Sequence, residues 1–446
     1  MHCPGRIDGQ CMLKNGLLAF LMTLLLLTGS VPGFAIRPDP LPIPNSRFYH
    51  TLPHSLTRLM RFRLDHIYAF DREPLAQRTP VILLPGRAEE YQYAVWWKNF
   101  GKYAAQSKTF KRRYKLYLFL YNSREQVEVS TAAFTSELQD FAKAIPPATQ
   151  VVLVSYSLGG VIANQAMANP LIFPMVKAHF AMAVPYHGSP VFTPNWFVPY
   201  YHSTNHSPVR QILEHVIYRA YLSDKSNLIT ALRWDSFDGS GPRPQASEPN
   251  MLDPPNTNVP EKVVKAKTIV YAGYLDNPYL KNGETTLALA KILATPTDLP
   301  KKVLWLAFPV YMTSVHGVFS DMNIVLSNIP VVDVKQSAKL PVNANNPNEK
   351  DIKVPVFQHS FRYNDGVIPL ASELYLPKKS LPYTGNLQEM TDHLDVEKTR
   401  IFADMDHMDF TEFERNAKPK RSDMLHPNEG SRSPYEWVLY DLDLLR

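Results

Sequence analysis

The sequence predicts an α/β fold: a mostly parallel central sheet, helices on both of its faces, and reactive residues at the carboxyl ends of the strands. Two patterns predict it. Short apolar runs recur at 80–84, 114–121, 151–154, 179–184 and 267–273; they are too short for helices, and several are continuous rather than alternating, as in strands buried on both faces. Between them lie stretches of helical period, the clearest being Phe134, Leu138, Phe141 and Ile145, ended by Pro146 and Pro147. Strands alternating with helices need crossover connections, and crossovers make parallel pairs.

The chain has 446 residues, 45% hydrophobic and 20% charged, a globular composition with ample length for a large core. Its start reads as a targeting segment. Lys14 precedes an apolar run over 16–27, after which 28–35 turns small and breaks at Pro32 and Gly33; this predicts a secretory signal peptide over 1–35, cut after Ala35. An uncleaved membrane anchor is the competing reading, although the run is short for a full span. Cys3 and Cys11 are the two cysteines of the chain, so the mature protein would have none. Packing alone would then hold an exported protein together, as in a bacterial periplasmic or secreted enzyme, and thiol chemistry is excluded.

The net charge of +6 becomes +5 once the leader, with Arg6, Lys14 and Asp8, is removed. Lys108, Lys111, Arg112, Arg113 and Lys115 concentrate the excess just before a strand. This cluster reads as a solvated loop, with contact to an anionic lipid surface as the alternative. With a secretory start, it predicts no nucleic-acid partner.

From 36 the expected domain runs to 446. Residues 36–58 are proline-rich and read as an irregular arm, and 60–70 alternates well enough for an early strand. The strand over 80–84 ends in Pro85, Gly86 and Arg87 and leads to an aromatic helix over about 89–105. After the strand at 179–184, the pattern loosens over about 191–262, where Ile212, Leu213, Val216, Ile217, Ala220 and Tyr221 share one helical face. A second loose interval spans about 277–353. Both read as cap or lid insertions above the strand ends. His202 and His206 invite a metal reading, but acidic or cysteine partners at suitable spacing are missing from the sequence around them.

The chemistry centres on 151–160, VVLVSYSLGG. A buried strand, an abrupt small-residue turn and a following helix place Ser157 at the apex of a nucleophile elbow. Strand and helix pass close together there, so the positions two before and two after the serine must be small; Gly159 fits, and Ser155 stands where glycine is usual. Asp365 lies in an Asn-Asp-Gly turn and His407 among carboxylates at 404–409. Ser157, Asp365 and His407 therefore follow the order nucleophile, acid, histidine of the α/β-hydrolase triad. Asp276, just past a strand, is the rival acid, and His187 the rival histidine. The backbone N–H groups of Arg87, after the 80–84 strand, and of Leu158, after the nucleophile, are the oxyanion-hole candidates.

Four segments carry a family resemblance: SYSLGG at 155–160, VPYHGSP at 184–190, YNDGVIPL at 363–370 and DHMDF at 406–410. Together they resemble bacterial lipase-like α/β-hydrolases, with matching nucleophile, proline-and-histidine loop, acid turn and histidine. The turn at Pro85, Gly86 and Arg87 is more similar to that of lysophospholipases than to the usual His-Gly. The resemblance implies cleavage of lipid esters under a lid, and, because such lipases can bind calcium through an aspartate two after the histidine, it makes Asp409 a calcium candidate; no other cofactor is expected. The expected reaction is acylation of Ser157 by a carboxylic ester, followed by hydrolysis through His407. A lipid acyltransferase with the same triad is one alternative. A non-catalytic lipid-binding protein that keeps the fold is the other.

Overall fold

The computed structural model describes residues 64–87, 100–192, 232, 261–276, 319–327, 331–340, 352–358, 361–376, 387–411 and 420–445, apart from isolated positions within these spans. The expected leader, the 36–58 arm, the paired histidines at 202 and 206, and most of the first insertion lie outside the described residues.

Seven strands form one sheet in the order β1-β3-β2-β4-β5-β6-β9. β1 (His66–Ala69) runs antiparallel to β3 (Tyr114–Leu120). β2 (Thr79–Leu84), β4 (Val151–Tyr156), β5 (Val176–Met182), β6 (Thr268–Tyr274) and β9 (Thr399–Ala403) continue it with parallel pairing throughout. β7 (Val331–Leu340) lies in the second insertion and makes a separate antiparallel pair with β8 (Ile352–Gln358), which runs past the expected end of the insertion at about 353. β10 (Arg421–Ser422) and β11 (Ser431–Arg432) make a short third one.

Alternate strand residues divide between two cores, which is why the central strands are mostly apolar at consecutive positions. Ile82, Leu84, Tyr117, Phe119, Val151 and Leu153 pack on one face under α2 (Val127–Ala144) and α3 (Leu158–Met167). Val81, Leu83, Leu116, Leu118, Val152 and Val154 pack on the other with Phe110 of α1 (Lys108–Arg113) and with Trp437, Val438 and Leu442. The period of two sends neighbouring side chains to opposite faces, so a strand covered on both sides has no polar face to show.

The basic cluster is not a solvated loop. Lys108, Lys111 and Arg112 are exposed on α1, but Lys115 is fully buried in β3, where its ammonium pairs with Asp71 at 2.8 Å and donates to the Asp71 and Glu73 carbonyls. Arg113 reaches the carbonyls of Asp443 and Leu445. The apolar stem of each cation lies along the protein while its charged tip finds oxygen partners.

The chain closes with α5 (Pro434–Leu444), which follows a short helix, α4 (Leu370–Glu373). A capping box starts α5: Ser433 Oγ accepts from the Glu436 N–H, and the Glu436 carboxylate accepts from the Ser433 N–H. Arg400 of β9 ties this end to the sheet. Its guanidinium bonds Asp441 at 2.7 Å, Asp423 at 3.0 Å and Glu429 at 3.1 Å, and Tyr271 on β6 donates to Asp441 at 2.6 Å. No helix among the described residues is long and apolar enough to cross a membrane.

Candidate active site

β4 delivers Ser157 to the carboxyl edge of the sheet, and α3 begins at the next residue. Ser157 has φ 50° and ψ −123°, a conformation that costs a non-glycine residue free energy and persists when its surroundings hold it. Its N–H donates to the Met182 carbonyl at 2.9 Å. The small residues around it are a steric requirement. A Cβ added at Gly159 would lie 2.4 Å from the Pro85 carbonyl oxygen, and one at Gly160 would lie 2.1 Å from Val184 Cγ2. Ser155 replaces the usual glycine because its hydroxyl has a partner: Oγ is 2.7 Å from His179 Nε2 on β5, and both residues are fully buried. Burial alone lowers His179 to about 3, so its ring is neutral at physiological pH.

Ser157, His407 and Asp365 meet, although 250 residues separate the first two. His407 Nε2 is 3.1 Å from Ser157 Oγ, and His407 Nδ1 is 2.5 Å from Asp365 Oδ2. The second carboxylate oxygen of Asp365 accepts the N–H groups of Val367 at 2.8 Å and Ile368 at 2.6 Å. A backbone bond from the His407 N–H to the Asp365 carbonyl, 2.9 Å, binds the two loops directly. Ser157 is partly exposed while Asp365 is fully buried; the hydroxyl can meet a substrate and the carboxylate is kept from water.

Each loop has its own scaffold. Asn364 Oδ1 accepts from the Gly366 N–H at 2.9 Å, its Nδ2 donates to the Phe361 carbonyl at 2.8 Å, and Asn323 clamps it from the second insertion at 2.9–3.0 Å. Gly366 has φ 89°, and a Cβ there would lie 2.3 Å from the Phe319 carbonyl oxygen, so the Asn-Asp-Gly turn needs its glycine for both conformation and space. On the histidine side, Asp406 Oδ1 accepts from the N–H groups of Met408 and Asp409, and Asp409 Oδ2 accepts from the Asp406 N–H. The carboxylates around His407 thus cap their own turn. Tyr156 donates to the His407 carbonyl at 2.7 Å, and its ring lies 4.9 Å from the imidazole. Phe319 meets the imidazole edge-on, with ring centroids 6.3 Å apart.

Leu158 opens α3, where backbone N–H groups lack intrahelical acceptors. Arg87 lies in the turn after β2, whose Pro85 carbonyl touches the elbow at Gly159 and accepts from Tyr121 Oη at 2.6 Å. The rivals lie elsewhere. Asp276 is exposed beside Asn323 and Tyr363, and His407 Nδ1 faces Asp365 instead. His187 is buried, with Nε2 2.6 Å from the Leu376 carbonyl. Asp409, the calcium candidate, accepts the Asp406 N–H through Oδ2, and among the described residues no group of three His, Cys, Asp or Glu side chains is placed to hold a metal.

Two residues that support the site were not singled out from the sequence: Tyr156 and Asn323. Tyr156 lies inside the elbow motif itself. Asn323 carries no sequence signal that could have found it.

The sheet order with its antiparallel edge, the strained elbow after β4 and the Ser-Asp-His order define an α/β-hydrolase fold bearing a serine–histidine–aspartate constellation. No protein-family profile matches the chain, and no curated protein matches it. Among solved structures it is similar to lipase 1 from Pelosinus fermentans (TM-score 0.36, 10% identity, covering 82% of this chain and 98% of that one). It is also similar to the mature lipase BlEst2 of Bacillus licheniformis (0.32, 14%, 51% and 81%) and to phospholipase PlaB from Legionella pneumophila (0.22, 20%, 26% and 27%). At these scores the likeness assigns no activity to this chain.

Proposed function

We propose that the protein is a serine hydrolase that cleaves carboxylic esters of lipids through an acyl-enzyme on Ser157. The observation that carries this reading is the chain of contacts from Ser157 Oγ to His407 Nε2 at 3.1 Å and from His407 Nδ1 to Asp365 at 2.5 Å, at an elbow with φ 50°. In the reaction, His407 takes the serine proton as Oγ attacks the ester carbonyl, then returns it to the leaving alcohol. Asp365 holds the imidazole with Nδ1 protonated, so that Nε2 can accept. The N–H groups of Arg87 and Leu158 receive the developing oxyanion. Water, deprotonated by His407, then releases the acid.

The preference for a lipid rests on the apolar and aromatic composition of the two insertions, including Trp196, Phe197, Tyr200, Tyr201 and the run at 303–312. Export through the 1–35 segment to the periplasm or the medium belongs to the same reading, and the exposed Lys108, Lys111 and Arg112 suit contact with an anionic lipid surface. The test is product analysis on triacylglycerol and diacyl phospholipid, with and without an added long-chain alcohol. Free fatty acid without the alcohol supports hydrolysis. Acyl product formed only with it makes the protein a transferase, and no product in either arm opposes both.

A further inference from the structure

Behind the triad acid lies a second carboxyl group. Glu373, at the end of α4, is fully buried, and its Oε2 accepts from the Gly273 N–H of β6 at 2.8 Å. Its other oxygen, Oε1, is buried and receives no hydrogen bond. Asp365 is the acidic neighbour of Glu373. Leu275, just past β6 and two residues after Gly273, donates its N–H to the carbonyl of Asn364 at 2.9 Å and so holds the Asp365 turn against this strand end. The Asp365 carboxyl acts on Glu373 by its charge and as a hydrogen-bond partner. Two carboxylates without a proton between them would be like charges sealed from water, and one of the pair must then be neutral.

The acceptor count says which. A carboxylate has about four lone-pair sites. Asp365 accepts from Val367 and Ile368 through Oδ1 and faces His407 Nδ1 through Oδ2, and one site remains for a further donor. Glu373 takes a single backbone N–H and offers an oxygen that no donor approaches, the state expected of an oxygen that itself carries hydrogen.

We propose that Glu373 is a protonated positioning residue that donates an O–H hydrogen bond to Asp365 and so holds the triad carboxylate in place and moderates its charge on His407. Burial first, then the neighbouring charge of Asp365, push the Glu373 acid well above the usual carboxylate range. The ionisable groups on the surrounding elements are otherwise engaged. Tyr271 donates to Asp441, Tyr274 Oη meets Met424 Sδ, and His187 bonds the Leu376 carbonyl. Lys265 donates to the Tyr375 carbonyl, Arg362 lies over the Tyr363 ring, and Asp406 and Asp409 cap their own turn. Asp365 is the charged group that acts on Glu373.

The proposal rests on Ser157, Asp365 and His407 being the working triad, and its test separates the two. Infrared spectra of the full-length protein read the C=O stretch of a protonated carboxyl without turnover. The band is expected at neutral pH in wild type and in S157A, and is expected to vanish in E373Q. In ester hydrolysis, E373Q keeps a neutral donor toward Asp365 and an acceptor for Gly273, so kcat/KM should stay within about twofold and the acid limb of its pH profile should not move. E373L removes the donor, leaves Asp365 more negative at His407, and should move that limb to higher pH while lowering kcat by about tenfold. A missing band overturns the proposal. So does an acid limb that moves to lower pH in E373Q, which would mean that a charge had been removed, or a folded E373L with an unchanged profile. If the band is present but wild type hydrolyses no ester, the hydrolase reading fails and the shared proton stands.

Discussion

Replacing Asp365 by asparagine tests the acid of the triad with little change in shape. The amide oxygen can accept the Val367 and Ile368 N–H groups that Asp365 Oδ1 accepts at 2.8 and 2.6 Å. The amide NH₂ then points at His407 Nδ1, where Asp365 Oδ2 now sits at 2.5 Å, and a donor facing Nδ1 selects the tautomer whose proton is on Nε2. That nitrogen can no longer take the proton of Ser157. The imidazolium formed during catalysis also loses its counter-charge. The same change in a serine-protease triad lowers kcat by about 10⁴, which is about 5.5 kcal/mol of transition-state stabilisation, and a loss of about 10³ to 10⁴ in kcat is expected here. The thermal midpoint should move little, because the turn keeps its acceptor. The assay is release of p-nitrophenol from butyrate and palmitate esters by D365N beside D276N. Activity of D365N within tenfold of wild type, with D276N impaired, would refute the assignment of the acid.

Three further outcomes follow from the geometry. G159A puts a methyl group 2.4 Å from the Pro85 carbonyl oxygen and 2.5 Å from that of Leu84; backbone cannot yield as a side chain can, so urea unfolding should show a loss of about 1–3 kcal/mol and ester hydrolysis should fall with it. R400M leaves the buried Asp423 and Asp441 without their cation, a change expected to cost about 3–5 kcal/mol by the same measurement. His179 sets part of the pH dependence of stability. Its folded value of about 3 lies below the unfolded value of about 6.5, so the unfolded chain takes up a proton that the folded one refuses as pH falls through the window between them. Stability contributed by this group is present above the unfolded value and falls below it, by about 2 kcal/mol between pH 7 and pH 5. H179Q should remove that part of the slope, and an identical slope in both proteins would contradict the burial account.

The central strands were legible because they are covered on both faces and carry continuous apolar runs, as 151–154 shows most clearly. Strand β5 starts at Val176, earlier than the 179 expected, since Lys177 interrupts the apolar run and the register shifts past it, Val151 pairing with Val176 and Val152 with Ala178. β9 and α5 were not singled out. β9 is five residues with Arg400 second, and that arginine belongs there only because Asp423 and Asp441 come to it from later in the chain. α5 did carry a readable start, Ser433 with Pro434 and Glu436. Ser157 and His407 were legible from local motif and order. Asp365 was preferred to the rival Asp276 on its Asn-Asp-Gly turn, and what sets the two apart in space, the meeting of the 361–369 loop with the histidine turn, has no local signal. Glu373 was hidden for the same reason: its partner, the Gly273 N–H, lies 100 residues earlier.

The most direct measurement is covalent labelling of the folded chain by an alkyl phosphonate, read by intact mass and by peptide mapping. The account predicts one adduct, on Ser157, absent from S157A, formed far more slowly by H407A, and formed at the wild-type rate by D276N. No adduct on the wild-type chain, or an adduct on another residue that persists in S157A, would contradict it.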